Sequence, residues 1–372
     1  MAGAALLSAF TYIPILARDF LGADEFFVTL LVGGYATAAF IASFIFGRAG
    51  DIYGRRLVVR LGLLAAAVSF SLLIIASTPE ILLLVRIIGG FCVGIYPGAL
   101  AAYAYESEMK MGKFASFGAV GWGVGTLLAG YAAVFDIYYA FLMSTFFLAI
   151  GFATALTLPD IERSRIKVPL FPIDTLKRNW PVYVAVLIRH SSASAIWTLW
   201  PLFLTDLGAD LFMVSVVQAA NSIAQVVFMI ALTDRYNCRF LVSLGMITSS
   251  ITFVWFIFAR NVWEIIPSQI LLGFAWAFLY VGALKFVTEK NEEKSTASGL
   301  LSSIMSLSMV IGPIVAAVLF SIWPDYTPIM IYAAIMSLVG FLIFHLSTRG
   351  EDFGSESLET SGGVSTLEPS FD

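Results

Sequence analysis

Charged residues are scarce in this chain. Only 12% of its 372 residues are Asp, Glu, Lys or Arg, whereas a soluble globular protein carries about 25%. The sequence is 59% hydrophobic and has a mean hydropathy of +0.90. This composition excludes an ordinary soluble domain and predicts a protein that crosses a membrane several times. The formal net charge of -4 is too small to indicate a charged partner.

The residues that serve most metal sites and nucleophilic centres are also few. The chain has two cysteines and two histidines. Cys92 and Cys238 lie in or beside apolar runs, so they offer neither a disulfide framework nor metal-ligand spacing. We find no Ser-His-Asp arrangement and no GxxxxGK phosphate loop. The sequence therefore predicts no enzyme activity, metal, cofactor or nucleic-acid partner.

Apolar runs long enough for membrane helices occupy most of the chain. A membrane helix needs about 20 mainly apolar residues. Twelve runs approach or exceed that length, with limits near 1–17, 26–46, 57–77, 81–105, 114–135, 137–158, 181–205, 211–233, 240–259, 263–287, 297–320 and 327–346.

A polar segment divides these runs into two groups of six. Residues 159–180 hold three prolines and five basic residues, which predicts a cytoplasmic linker between bundles at 1–158 and 181–346. Residues 347–372 are rich in Ser, Gly, Thr and Glu, which predicts a disordered acidic tail. Most of the 21 Lys and Arg residues fall on the side of the N-terminus. Basic loops stay in the cytoplasm, so both termini are expected there, and the membrane is expected to be the plasma membrane.

A charged loop lies between the second and third runs. It contains Gly47, Asp51, Gly54, Arg55 and Arg56 within ten residues. The glycines allow a tight turn between helices, and the arginines hold the loop on the cytoplasmic side. This spacing resembles the signature loop between helices 2 and 3 of the major facilitator superfamily.

The resemblance implies a fold and a mode of action. The expected fold is all-α, with twelve membrane helices in two pseudo-symmetric six-helix bundles around a central cavity. The expected activity is secondary transport by alternating access, with the loop around Asp51 helping to close the cytoplasmic side. The sequence departs from the family pattern at Ile52, where a basic residue is common.

A weaker copy of the loop follows the eighth run. Asp234, followed by Arg235, stands 183 positions after Asp51. An internal repeat is the organisation expected for this class of transporter. Three further pairs share the offset: Arg86 and Gln269, Gly90 and Gly273, and Glu106 and Glu289.

The fifth run is rich in glycine. Gly121, Gly125 and Gly130 resemble the antiporter motif of helix 5 in the family, although Thr126 stands at the position of its proline. Small residues at this spacing also let helices approach closely, so a plain packing face is the other interpretation.

Two features of other runs resemble the same family. Arg86 in the fourth run matches a helix 4 arginine that is linked to proton transfer in antiporters. An arginine that extends toward the outer interface is the alternative. In the eleventh run, Gly312 and Pro313 predict a kink or a close helix contact.

Arg189 and His190 lie near the middle of the seventh run. A central arginine costs about 2.5–3.5 kcal/mol on insertion scales, so it normally faces the bundle interior or a water-filled cavity. Trp197 and Trp200 follow, and Trp200 returns to the Arg189 face. We expect a substrate or proton-coupling role here; an arginine satisfied by backbone carbonyls at a helix break is the alternative. His190 titrates near neutral pH in water, but a hydrogen-bonded packing role is its alternative.

Amides and carboxylates complete the set of polar candidates. Gln218, Asn221 and Gln225 share one face of the eighth run and should line the cavity or bond across helices. No Asp or Glu lies deep inside any run. Glu106 and Glu289, at span ends, are expected to pair with loop arginines. Attraction to arginine then favours an anionic or neutral solute over a cation.

The leading hypothesis is proton-coupled export of a small organic solute by a monomer in the lipid bilayer. Two alternatives stay open. One is uptake or uniport of an organic anion or neutral metabolite by the same fold, and the other is a membrane receptor or scaffold that does not transport.

Overall fold

The protein is helical throughout its described part. The structure is a computed structural model that describes residues 3, 12–160 and 166–350. These residues form helices and no strand, which confirms the predicted all-α fold.

The helices of the N-terminal half are α1 (Ile13–Ile15, continued by a π-helical turn over Leu16–Phe20), α2 (Glu25–Phe46), α3 (Ala49–Tyr53), α4 (Arg55–Ser71, continued by a 3-10 turn over Leu72–Ile75), α5 (Pro79–Ile95), α6 (Pro97–Glu106), α7 (Met111–Ala133) and α8 (Ile137–Leu156). Those of the C-terminal half are α9 (Ile173–Asp206), α10 (Leu211–Ala231, followed by a 3-10 turn over Thr233–Arg235), α11 (Cys238–Phe258), α12 (Val262–Glu289), α13 (Lys294–Ile322) and α14 (Thr327–Ser347).

The described residues account for eleven of the twelve predicted spans. Ten helical segments are long and apolar enough to cross a membrane. The fifth predicted span forms the 23-residue helix α7, which is not one of these ten segments. The first predicted span, 1–17, and the predicted tail beyond residue 350 lie mostly outside the described residues.

Two helix boundaries differ from the predictions. The fourth span is two helices, because Pro97 cannot donate the backbone hydrogen bond that would join α5 to α6. Helix α9 begins at Ile173, inside the predicted linker. Its second turn is attached to the segment before α13, because the buried Asn179 amide donates to the backbone oxygen of Thr175 at 2.8 Å and to the Asn291 side chain at 3.0 Å.

The described part of the linker is attached to the N-terminal half. The Arg48 guanidinium donates to the backbone oxygen of Val168 at 2.8 Å. The backbone N–H of Ile166 donates to the backbone oxygen of Asp51 at 3.0 Å. The linker therefore lies against the charged loop rather than extending freely from the bundle.

Glycine contacts show that the two halves repeat one packing pattern. A side chain at Gly62 would lie 2.7 Å from Cβ of Tyr96 in the N-terminal half. In the C-terminal half, a side chain at Gly245 would lie 2.9 Å from Cα of Leu279. Both members of the second pair stand 183 positions after those of the first, so the sequence offset is a repeat in space.

The second copy of the loop differs at its turn. Gly54 has a φ of 103° between α3 and α4, a conformation that favours glycine. At the equivalent position, Asn237 has an ordinary φ of -70° and caps α11 by accepting from the N–H of Phe240 at 2.9 Å. In the second copy, a side-chain cap at Asn237 therefore stands where the first copy needs a glycine that can adopt a positive φ.

The C-terminal half contains a polar layer between two apolar clusters. One cluster includes Val186 and Met246, and the other includes Ala193 and Phe253. Arg189, only 2% exposed, lies between them on α9. The packing thus isolates one charged side chain from water and from lipid.

We predict that Gly245→Val lowers the free energy of unfolding by about 1–3 kcal/mol, because the added methyl groups would collide with the backbone of α12. Gly33→Val is the matched control, since nothing lies within 4 Å of a side chain placed there. Thermal unfolding of both variants in detergent measures the difference. Equal melting temperatures would show that α11 and α12 can separate without cost.

Candidate functional site

The charged loop contacts the start of α13 across the boundary between the halves. The Asp51 carboxylate accepts from the backbone N–H of Thr296 at 2.7 Å and from its hydroxyl at 2.6 Å. It also accepts from the backbone N–H of Ser295 at 3.2 Å. These N–H groups have no partner within their own helix, and the helix N-terminus carries partial positive charge. A carboxylate is therefore well matched to this position.

Two arginines of the loop hold carboxylates in the N-terminal half. Arg55 donates to Asp51 at 3.0 Å and also pairs with Glu106, as expected for that residue. Both acids are buried, so Arg55 orients Asp51 from within its own half. Arg56 lies 3.4 Å from the exposed Asp160, a surface pair that contributes little.

Small residues bring the two halves into backbone contact. A side chain at Gly47 would lie 2.9 Å from Cα of Gly299. The Ser295 hydroxyl donates to the backbone oxygen of Gly47 at 2.7 Å. We call this end of the bundle, which also carries Arg55 and Arg56, the basic end.

A second junction at the basic end repeats the first in reverse. Asp234 accepts from the backbone N–H of Gly112 in the first turn of α7 at 3.1 Å. Gly112 stands 183 positions before Ser295, as Asp51 does before Asp234. Each half therefore offers a carboxylate to a helix N-terminus of the other. Arg235 is exposed beside the second junction.

The expected pairing of Glu289 with a loop arginine is wrong. Among the described residues it forms no ion pair, and its side chain is exposed. The repeat explains the difference, because the position equivalent to Arg55 is Cys238. The acid was retained in the second copy while its basic partner was not.

Arg189 contacts two other helices near the middle of the C-terminal half. Its Nε donates to the Ser249 hydroxyl of α11 at 3.0 Å. Its guanidinium carbon lies 5.6 Å from the ring centre of Phe253 and 5.4 Å from that of Trp276. The alternative of backbone carbonyls at a helix break does not apply, since α9 is continuous and the recorded acceptor is a side chain.

His190 belongs to a stack of three aromatic rings. Its ring centre lies 5.1 Å from that of Trp276, with 27° between the ring planes. Trp276 stacks in turn on Tyr280, at 5.3 Å and 7°. His190 Nδ1 is buried and has no hydrogen-bond partner among the described residues. We call His190, Trp276 and Tyr280 the aromatic stack.

Arg86 lies in the other half and is not part of this group. Its guanidinium carbon is 3.9 Å from the ring centre of Tyr35, and Arg86 is 2% exposed. A side chain at Gly90, one turn further along α5, would lie 3.1 Å from Cα of Tyr35. Tight packing between α2 and α5 thus buries Arg86, which does not extend to the outer interface.

The predicted amide face is partly a network within the C-terminal half. Asn221 donates to the backbone oxygen of Gln269 at 3.0 Å, and Gln225 donates to Asn221 at 2.6 Å. Both atoms of the Gln269 amide are buried without a partner among the described residues. Gln218 is exposed on the same face. Asn221 therefore bonds across helices, which is one of the two arrangements expected for this face, whereas the Gln225 bond lies within α10.

The tryptophans that follow Arg189 lie in the apolar cluster beyond it. Trp200 is 5% exposed, and its ring centre is 4.8 Å from that of Phe256. Trp197 is half-buried and contacts Trp200 at 5.2 Å. Packing in the apolar cluster therefore accounts for Trp200. The aromatic rings that contact Arg189 are those of Phe253 and Trp276, not that of Trp200.

Two of the three motif glycines of α7 are buried. Gly121 and Gly125 are buried one turn apart, and α7 packs against α10 of the other half. A side chain at half-buried Gly130 would lie 3.4 Å from the hydroxyl of Tyr12. The role of these glycines in an antiporter-like motif stays a prediction.

The predicted close contact at Gly312 and Pro313 is present. A side chain at Gly312 would lie 2.8 Å from the backbone oxygen of Ser191 on α9. Pro313 lies inside a helix that continues to Ile322.

Sequence reasoning missed several residues of both sites. Ser249, Phe253 and Trp276 are ordinary members of apolar spans, and nothing in one span tells which residue it meets in another. Ser295 and Thr296 had a usable signal, because they begin the helix that follows a polar turn.

Comparisons with known proteins agree on the family and the fold. The family model described as Major Facilitator Superfamily matches residues 1–188 and again residues 182–365. Two matches of one model, one to each half, agree with the internal repeat.

Two curated relatives and two solved structures resemble the chain over most of its length. It is 24% identical to the Quinolone resistance protein NorA of Staphylococcus aureus (strain COL), covering 89% of each chain. It is 25% identical to the Tetracycline resistance protein, class B, of Escherichia coli, covering 83% of each. The human organic anion transporter MFSD10 superposes with a TM-score of 0.71 at 17% identity, covering 92% of this chain and 97% of that one. The proton:xylose symporter XylE gives 0.73 at 13%, covering 92% of each.

We predict that Asp51→Asn loosens the basic end. Bonds to a charged group contribute about 1.5–3 kcal/mol, so the ratio of separated to joined halves should rise about tenfold or more. Spin labels at Tyr53→Cys and Glu292→Cys, in a chain with Cys92 and Cys238 replaced, report the distance by pulsed electron paramagnetic resonance.

The control for this experiment is Asp174→Asn, which removes an exposed carboxylate from the first turn of α9. It should leave the distance distribution as in the parent chain. If Asp51→Asn also leaves it unchanged, the contact at α13 does not hold the halves together.

Proposed function

Since the chain belongs to the major facilitator superfamily, we propose that it exports a small organic solute, anionic or neutral, in exchange for protons. Membership makes it a multi-pass membrane transporter of small molecules rather than an enzyme. We infer three further properties: the charge of the solute, the direction of transport and the coupling ion.

The names of the curated relatives support export. Two of them record resistance to quinolones and to tetracycline. A membrane transporter protects a cell from a compound by moving it outward. This chain is similar to those proteins along most of its length, which favours the same direction.

The charge of the proposed solute follows from Arg189. It is a buried cation near the middle of α9, and no recorded ion pair of the described residues includes it. A second buried cation, Arg86, lies in the other half. Coulomb attraction in a poorly screened interior favours an anion and disfavours a cation. The buried charge of Arg189, unpaired among the described residues, is the single observation that supports an anionic or neutral solute.

The contacts between the halves support alternating access. Hydrogen bonds join them at the basic end, through Asp51 and through Asp234. The deepest of the recorded bonds runs from the Ser303 hydroxyl to the backbone oxygen of Phe40, at 2.9 Å. With basic loops on the cytoplasmic side, this arrangement corresponds to a carrier closed toward the cytoplasm, with both termini inside.

The coupling step requires a group that can exchange protons. His190 is half-buried beside Arg189, and its Nδ1 lacks a partner among the described residues. Histidine in water exchanges protons near neutral pH. We assign proton coupling to His190, with Arg86 as the second candidate, in a carrier that acts as a monomer in the plasma membrane.

Flux into proteoliposomes tests the proposal. Vesicles with an acidic lumen are given a quinolone, tetracycline or 1-naphthoate outside. Exchange predicts accumulation of at least one solute in the acidic lumen beyond a protein-free control. For 1-naphthoate this is the opposite of passive weak-acid trapping. Asp51→Asn should slow the initial rate about tenfold, which corresponds to about 1.4 kcal/mol in the barrier, whereas Asp174→Asn should not.

Each other result selects a different function. Flux that ignores the pH gradient would indicate a uniporter, and accumulation on the alkaline side beyond a protein-free control would indicate uptake with protons. Absence of flux for every solute, with intact folded protein, would favour a receptor or scaffold.

A further inference from the structure

Three helices supply one composite site around Arg189. Arg189 and His190 come from α9, Ser249 and Phe253 from α11, and Trp276 from α12. Each lies near the middle of its helix, so the site is near mid-depth of the membrane-spanning bundle.

Most N–H donors of the Arg189 guanidinium are not used within the protein's described part. Its Nε is used by Ser249, at 3.0 Å. Among the described residues neither terminal nitrogen has a hydrogen-bond acceptor. Four N–H groups of a planar fork thus lack an acceptor, in a side chain that is 2% exposed and lies between two apolar clusters. A carboxylate fits such a fork with two parallel bonds, each assisted by charge.

The aromatic stack lies directly beside this fork. Trp276 is shared, because it contacts the Arg189 guanidinium and also lies between the rings of His190 and Tyr280. All three rings of the stack are half-buried, so ring surface remains open. A planar ring gains most from such a surface by offset stacking.

We propose that the site takes an aromatic carboxylate, with its carboxylate on Arg189 and its ring extending the aromatic stack. This rests on the proposed transport of an anion and narrows it to one chemical class. An aliphatic acid would use the fork and leave the stack unused. A sugar would need several acceptors and donors for its hydroxyls, and ring faces do not supply them.

Calorimetric titration of the full chain in nanodiscs tests the site with three probes. These are 1-naphthoate, its neutral analogue 1-naphthamide, and cyclohexanecarboxylate. The parent chain should bind naphthoate about tenfold or more tighter than either of the others, which is about 1.4 kcal/mol, since naphthoate alone makes both the charge-assisted pair and the aromatic contact.

Two substitutions should each remove one preference. Arg189→Gln should remove the preference for acid over amide, weakening naphthoate about 10- to 100-fold and naphthamide little. Trp276→Leu should reduce the preference for aromatic over aliphatic acid, by about 2- to 10-fold. A structural role would weaken all probes alike.

Matched controls remove the same residue types elsewhere. Arg260→Gln is at an exposed loop, and Trp263→Leu is at a 65% exposed position of α12. Both should bind all three probes as the parent does. If Arg189→Gln does not fold, Arg189→Lys keeps the charge but loses the fork, and should weaken naphthoate more than naphthamide.

Two outcomes overturn the inference: equal affinity of the parent for naphthoate and naphthamide, or equal weakening of both by Arg189→Gln. The flux assay separates this failure from failure of the proposed function. Flux of other solutes without naphthoate binding would refute the aromatic carboxylate site alone. Naphthoate binding with no flux of any solute would refute transport and leave the site standing.

Discussion

Hydrocarbon offers no hydrogen bonds, and this constraint decides where the polar groups of the protein lie. A backbone or side-chain group in the membrane must find its partner inside the protein. Many serines and threonines of the spans bond to the preceding turn of their own helix, as Ser249 and Thr252 do. Arg189 is different, because its terminal donors find no such partner among the described residues. A group that the fold leaves incomplete is where a solute can bind.

The same constraint explains how the halves can be joined and still separate. Asp51 and Asp234 accept from N–H groups that begin α13 and α7. At the end of a helix those N–H groups can bond to water when the halves part, which no mid-helix group could do in lipid. The junction thus stabilises the joined halves, and breaking it leaves no N–H group without a hydrogen-bond partner, because water replaces the carboxylate. Its two copies are unequal, since among the described residues Asp51 accepts three bonds from the other half and Asp234 one.

Much of the fold could be predicted from the sequence, because apolar runs and a constant offset are local or additive signals. The charged loop and the position of Arg189 within an apolar run were also predictable, because both are local features of the sequence. What Arg189 contacts was not predictable, since Ser249 and Trp276 owe their role to the way α9, α11 and α12 face one another. The error at Glu289 has another origin, because symmetry predicted a partner that the second repeat had replaced by Cys238.

The linker sets a mechanical limit on how far the basic end can open. It is fixed to the N-terminal half at Val168, by Arg48, and it enters the C-terminal half as helix at Ile173. Only five peptide units connect these points, and a fully extended chain gives them a reach of about 17 Å. As long as the Arg48 contact holds, the segment acts as a tether of fixed maximum length. The width of any opening at the basic end, and so the size of cargo that can enter from that side, is capped by a covalent span rather than by the packing of helices.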